Sequence, residues 1–410
     1  MRKPTIEVIP GRWAIAGADA ILPDRIFSNA WIEIESGRIR SISSIPKRPP
    51  KSISVIDGTG KLVAPGFVDI HVHGGAGADF MDGSVQSVVQ ASHAHLLHGT
   101  TSIFPTTTTG RAEAIHAMLD AVLAVKREHE PTENLNPLPH IEGVHLYGPY
   151  FAVEKSGCHS KAGCRTPILD EYQSYFKTGL IRVATCAAEL KGCLDFYRYA
   201  KRRRCLVTCG HSNASWTEMQ AAHKAGMTHV DHFWCAMSNV ASVRSRFGTP
   251  MQGSMLEFVL GHDSMSTEVI ADGCHLAPEL LQFAWQMKGP HRLCLVTDSN
   301  RAMDMPPGKY LFGHPEECVW IDSDGQVGRG ADGGLASAIQ GMDHCVRFMA
   351  KHTQVPLPDI IRMASLTPAE RTGIDQEVGS LEAGKRADLL LLNKKLQIDK
   401  IFLGQRARRV

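Results

Sequence analysis

Between residues 66 and 374 the chain alternates short, nearly continuous apolar runs with longer stretches in which apolar residues recur at helical spacing. The apolar runs have strand length and fall at 67–73, 101–106, 143–147, 181–186, 205–211, 227–232, 267–272 and 293–298. Between them lie amphipathic segments such as SVQSVVQASHAHLLHG and WTEMQAAHKAG, each stopping at a glycine of the kind that ends helices. Buried strands alternating with helices are the pattern of βα units, whose parallel strands must be covered on both faces. The run count predicts an α/β fold, a closed (β/α)8 TIM-like barrel.

The two ends of the chain have a different rhythm. WIEIESGRIRSI alternates with period two about Ser36-Gly37 and predicts a hairpin, KSISVIDGTGKLVAPG adds two further strands, and VGSLEAGKRADLLLL repeats the style near the C-terminus. These segments predict one small β-sandwich assembled from both termini, so that residues 1–65 and 375–410 flank a barrel at 66–374. A Pro and Lys linker, IPKRPPKS, interrupts the first part, and no internal repeat is visible.

Composition narrows the functional classes. With 410 residues, 43% of them hydrophobic, the chain can bury one large core and a satellite. A net charge of +2 argues against nucleic acid as partner. Arg202 to Arg204 read as a solvated helix end, and Arg406, Arg408 and Arg409 as a solvated tail. No run of 18 apolar residues and no leader-like opening occurs, so the expectation is a soluble, cytoplasmic protein without a membrane partner. The 11 cysteines are scattered through strands, which suits a reducing compartment. Cys158 and Cys164 flank a glycine-rich loop with His159 between them, read as a plain loop in preference to a second zinc site.

The candidate chemistry lies where the strands end. GFVDIHVHGG closes on His71 and His73, which alternation places on one face of a strand end, where both imidazoles can grip one ion. RCLVTCGHSN closes on His211, MTHVDHFW on His232 and HRLCLVTDSN on Asp298. A lone histidine is more often a satisfied core residue, and His140, His145 and His229 fit that description. Chance does not supply an ordered pair, single, single and aspartate, each at the C-terminal end of a strand, where barrel enzymes keep their catalytic groups.

An ordered set of motifs resembles the amidohydrolase superfamily, and within it the N-acetylglucosamine-6-phosphate deacetylases: APGFVDIHVHG, GTTSIFPTTTT, HLYGPYFAVEKSGCH, GHSNASW, THVDHFWCAM, VIADGCHL, LVTDS, LTPAERTGI and GSLEAGKRADLLLL. The likeness spans nearly the whole chain. It implies a barrel with one or two divalent metal ions, zinc by preference, a sandwich built from both termini, an amino-sugar substrate and a homodimer. By position it makes His211 and His232 metal ligands, His71 and His73 the first-strand pair found in many members, and Asp298 the catalytic aspartate. It makes His275 and His159 substrate contacts, with Asn213 and Ala214 in the GHSNA pattern.

Departures from the pattern affect both metal and substrate. HLEGP becomes HLYGP, so Tyr147 stands where the family has an acidic ligand, and Glu142 cannot replace it because it points to the other face. Three arrangements accommodate a tyrosine. The ion lies among His71, His73, His211 and Asp298 with His232 steering water and Tyr147 filling the place of a second ion, which is the preferred reading. Alternatively, the phenolate binds the ion, or hydrolysis has been lost. HLFNAM becomes HFWCAM, putting Cys235 and Ala236 near the expected phosphate region, where Arg244 or Arg246 could supply bidentate contacts. TDAM becomes TDSNRAM, which is expected to bring Asn300 and Arg301 to the rim.

The expected reaction is hydrolysis of an acetamide on an amino sugar, with Asp298 moving the proton and His275 bonding the carbonyl oxygen. Cyclic-amide hydrolysis is the enzymatic alternative. It commonly needs a lysine on the fourth strand, and IRVATCAAEL offers none before Lys191. Deamination and a non-catalytic sugar-binding role remain as further alternatives.

Overall fold

The strand residues pair as their apolar character requires. The computed structural model describes residues 6–9, 11–47, 52–128, 137–317 and 319–410, so part of the expected linker IPKRPPKS lies outside the described residues. Parallel barrel strands run Phe67–Val72, Thr100–Pro105, Val144–Leu146, Ile181–Thr185, Leu206–Cys209, His229–Val230, Ser266–Ile270 and Leu293–Val296. The third to eighth pair in sequence order, and the first pairs with the second. A parallel bridge from Thr106 to His145 joins the second to the third. The Asp298 amide donates to the His71 carbonyl at 2.9 Å and joins the eighth to the first, closing the barrel.

Helices succeed the strands as the periodicity predicts. Val85–Leu97 starts at Ser84, whose hydroxyl caps the Ser87 amide, and Trp216–Ala225 starts at a capping box between Ser215 and Glu218. The barrel interior is polar toward the strand ends. Asp69 accepts from Thr297, His71 donates to Glu268, His145 contacts Thr185, and Asp231 accepts from Thr185 and Thr208. These bonds tie the first strand to the seventh and the fourth to the sixth. The His145 ring, bonded at both nitrogens to the Ile70 carbonyl and Thr185, and the His71 ring, bonded at Nδ1, are thereby held in direction.

Strands from both ends of the chain form one nine-stranded sheet, in which Leu62–Pro65 lies between Arg12–Ile21 and Asp388–Leu392. Ser36 and Gly37 form the hairpin turn with φ of 51° and 75°, and Glu35 pairs with Arg38 across it. The sheet rolls onto itself: Trp13 and Phe402, on strands separated by two others, stack at 5.1 Å over a shared core. The sandwich is therefore a single curled sheet.

Two details differ from expectation. Arg408 is buried in the strand Arg406–Arg409, which lies between Ile6–Val8 and Ile398–Leu403, and contacts His93, so the C-terminal arginines are not merely a solvated tail. After the eighth barrel strand the chain makes a three-stranded antiparallel sheet, Gly308–Phe312, Val319–Ser323 and Gly328–Arg329, before its helices resume. Its small core of Phe312, Ile321 and Ala336 packs against Cys158 and closes over the strand ends. Among the described residues no helix is long and apolar enough to cross a membrane.

Candidate metal centre

His71 and His73 leave the first strand on one side, and Asp298 reaches them from the end of the eighth. Their donor atoms all lie within 4.8 Å of one another. Asp298 Oδ1 is 3.2 Å from His73 Nε2 and 3.6 Å from His71 Nε2, and both imidazoles are fully buried. His71 Nδ1 donates to Glu268 Oε2 at 2.8 Å, which leaves Nε2 as the lone-pair nitrogen. That nitrogen has no hydrogen-bond partner, nor has either nitrogen of His73. Buried imidazole nitrogens without partners are costly, and an ion at their convergence would satisfy them. The donor set, two histidines and a carboxylate with an open side, fits a catalytic divalent ion.

The electrostatics also call for positive charge there. Burial opposes a proton on His71, yet Glu268 and Asp298 outweigh it and lift the ring to about 9. Burial would raise Asp298, but His71, His73 and His232 hold it far below the usual carboxylate range. Asp69 and Asp231 are each pushed up to about 7 by burial, so only part of the acidic lining carries charge at neutral pH.

His211 and His232 lie beside this group and not within it. Their rings are 5.1 Å apart, with His71 stacked 5.3 Å from His232. His211 donates from Nδ1 to the Lys155 carbonyl at 2.6 Å and stacks on Phe151 at 4.3 Å, so its Nε2 is free to accept. The backbone at His211 has φ of 45° and that at Asp298 47°, a left-handed conformation held where both side chains must turn inward. Gly210 permits it, since a Cβ there would lie 2.2 Å from the Asp231 carboxylate.

Tyr147 sits at the middle of the histidines, its ring 4.3 Å from His71, 5.6 Å from His73 and 5.4 Å from both His159 and His211. Burial, together with Asp231, Asp298 and Glu268, pushes its phenol well above the ordinary value. The neutral hydroxyl donates to His232 Nε2, which occupies the nitrogen that His232 would otherwise offer to an ion.

The other expected residues surround this centre. His159 is buried against His73, His211 and Phe312, with Nδ1 unpartnered. His275 donates to Asp272 at 2.8 Å; burial opposes its charge, but that bond and the field of Asp298 raise it. Asn213 donates its amide to Glu189, and its buried Oδ1 has no partner. Ala214 is buried behind it, and Ala236, with φ of 50°, accepts from the Ser212 amide. The Cys235 thiol is pushed up to about 12, first by burial and then by Asp298 and Asp272.

Arg246 is engaged by Glu218 at 2.9 Å and by the Asn213 carbonyl. Arg244 is exposed on the same helix. Asn300 is fully buried on the Ala336 carbonyl, and Arg301 binds Asp82 at 2.7 Å, so both brace the fold rather than the rim. Glu268, Asp231, Glu189 and Phe312 were not anticipated. A lone acid within an apolar strand, as in STEVIADG or THVDHF, was the available signal for the first two.

A closed parallel barrel with imidazole and carboxylate donors gathered at its strand ends defines a metal-dependent hydrolase. The amidohydrolase family profile matches residues 62–410, and the chain belongs to that family, hydrolases of carbon–nitrogen bonds that carry a divalent metal. It is 29% identical to an N-acetylglucosamine-6-phosphate deacetylase of Bacillus subtilis, covering 92% of each chain. It is 31% identical to an N-acetylgalactosamine-6-phosphate deacetylase of Escherichia coli O157:H7, covering 92% of this chain and 94% of that one. Among solved structures, an N-acetyl-D-glucosamine-6-phosphate deacetylase mutant from Mycobacterium smegmatis, in complex with N-acetyl-D-glucosamine-6-phosphate, superposes with a TM-score of 0.85 at 25% identity over 97% of this chain and 99% of that one. The Thermotoga maritima deacetylase gives 0.82 at 25% identity over 96% and 98%.

Proposed function

We propose that this protein removes the acetyl group from an N-acetylated amino sugar, N-acetylglucosamine 6-phosphate or a close relative such as its galactose epimer. The observation that carries the reading is the buried His71, His73 and Asp298 cluster in a chain that aligns over 92% of its length with such deacetylases. His71, His73 and Asp298 would hold one ion, zinc by the donor set, with His211 and His232 beside it. Tyr147 fills the space that a second ion would need. When bound, the ion polarises the amide carbonyl and lowers the pKa of water, as divalent ions do in hydrolytic sites.

The chain's own groups supply the remaining steps. Asp298, ionised across the neutral range, accepts a proton from the attacking water as its oxygen bonds to the acetyl carbon. His275, held by Asp272, donates to the carbonyl oxygen as negative charge develops on it. Asp298 then returns the proton to the nitrogen as the carbon–nitrogen bond breaks, giving acetate and the free amine. His159 and the unpartnered Asn213 Oδ1 face the sugar. Cys235, Ala236, Arg244 and Arg246 border the expected phosphate region, with Arg246 able to contribute only by leaving Glu218.

The reading divides the chain into a barrel at 66–374 and sandwich segments at 1–65 and 375–410, and includes a cytoplasmic homodimer. The test is acetate release from N-acetylglucosamine and N-acetylgalactosamine, each with and without a 6-phosphate, beside cyclic amides and aminopurines. Acetate from a phosphorylated sugar is expected. A ring-opened acid or ammonia as sole product overturns the assignment.

A further inference from the structure

Glu268 is a charged residue with 0% exposure, in the middle of the seventh strand, where Ser266–Ile270 is otherwise neutral. Among the described residues its ion-pair partners are histidines, with no lysine or arginine. Its Oε2 accepts from His71 Nδ1 at 2.8 Å and from the His232 backbone amide at 3.2 Å, and Oε1 lies 3.4 Å from His229 Nε2. One side chain thus grips the first-strand histidine and the backbone that carries the sixth-strand histidine.

A carboxylate buried this deeply is destabilising unless something positive compensates it. Besides His229, the charge that can compensate it lies across the His71 ring, at Nε2, where the unpartnered nitrogens converge. A carboxylate bonded to one nitrogen of a histidine fixes its tautomer and makes the other nitrogen a better donor. The third strand, meanwhile, ends at Tyr147, an ordinarily uncharged phenol, where an acid would have brought negative charge into the cluster.

We propose that Glu268 is a positioning residue for His71, and that it supplies from behind the ring the negative charge which Tyr147 withholds from the cation site. The proposal rests on the metal-site reading given under Proposed function. Glu268 does not touch substrate; it acts on affinity for the ion and, through it, on the ion's electronic environment.

The experiment measures dissociation constants of the metal-loaded protein for Zn2+ and Co2+ by competition with a chelator, together with the visible absorption of the Co2+ form. Glu268→Gln keeps the size and one acceptor oxygen but removes the charge, and affinity is expected to fall by about 10- to 100-fold with a shifted cobalt spectrum. Glu268→Asp keeps the charge and is expected to recover part of the loss. In a His71→Asn background, Glu268→Gln is expected to cost nothing further, because its route to the ion is gone. An equal loss in both backgrounds, or Gln affinity within twofold of wild type, overturns the proposal. If Glu268→Gln fails to fold, the Asp variant decides: affinity above that of His71→Asn, up to the wild-type value, supports charge placement, and affinity as low as in His71→Asn overturns it. Wild-type protein that binds ion without involving His71 overturns the metal-site reading itself.

Discussion

Asp298→Asn is the substitution that separates proton transfer from scaffold. Asn matches Asp in size and tolerates the left-handed backbone, φ of 47°, that this position requires. The Asp298 amide still bonds the His71 carbonyl, so barrel closure is untouched. What disappears is a charge 3.2 Å from His73 Nε2 and 3.6 Å from His71 Nε2, and with it the proton acceptor. Loss of a positioned general base typically costs about 10²- to 10⁴-fold in rate. At about 1.4 kcal/mol per decade, that is about 3 to 5.5 kcal/mol of transition-state stabilisation. Because the carboxylate also serves as a ligand, acetate release is to be measured at saturating metal, with occupancy determined on the same sample. The expected result is kcat reduced by at least about 100-fold with KM within a few-fold of wild type. Turnover within about tenfold of wild type at equal occupancy would refute the role given to Asp298.

Other perturbations probe separate parts of the molecule. Tyr147→Phe keeps the ring between the histidines but strips the partner from His232 Nε2; metal content should stay at one ion while stability falls by about 1 to 3 kcal/mol in denaturant unfolding. Loss of the bound ion would instead make the phenol a ligand. Trp13→Ala opens the curled sheet where it stacks on Phe402, and should cost about 3 to 5 kcal/mol of stability with kcat unchanged in the folded fraction. His98 donates to both Asp343 and Asp304, and although burial opposes its charge, these bonds raise it to about 10. A raised folded value means stability fully present below the unfolded pKa of about 6.5 and lost as pH climbs toward 10. The Tm gap between wild type and His98→Gln should therefore be widest near pH 6 and close toward pH 10, and a constant gap would contradict it.

The barrel was legible because its strands are short apolar runs, nearly all of them buried once folded, separated by helices with clear stops such as Gly99 and Gly226. The His71 and His73 pair was legible for the same reason: period two fixes which side chains share a face. Whether five donors share one ion was not, because that depends on side-chain direction at strand ends with left-handed backbone. The structure gathers His71, His73 and Asp298, and leaves His211 and His232 alongside. The direction of Arg246 was hidden by a long-range partner, Glu218, on the preceding helix. The sheet of Gly308–Phe312, Val319–Ser323 and Gly328–Arg329 was missed since its strands are short and only partly buried, so that none carries a long apolar run, yet it delivers Phe312 to within 5.2 Å of the His73 ring.

The proposed chemistry stands or falls on one divalent ion held by His71, His73 and Asp298. Diffraction from crystals of the metal-loaded protein, recorded on both sides of the metal's absorption edge, addresses it directly. One anomalous peak is expected at about 2.0 to 2.2 Å from His71 Nε2, His73 Nε2 and an Asp298 oxygen, with Tyr147 outside the coordination sphere. A peak bonded instead to Tyr147, His211 and His232, with His71 and His73 uncoordinated, would contradict it.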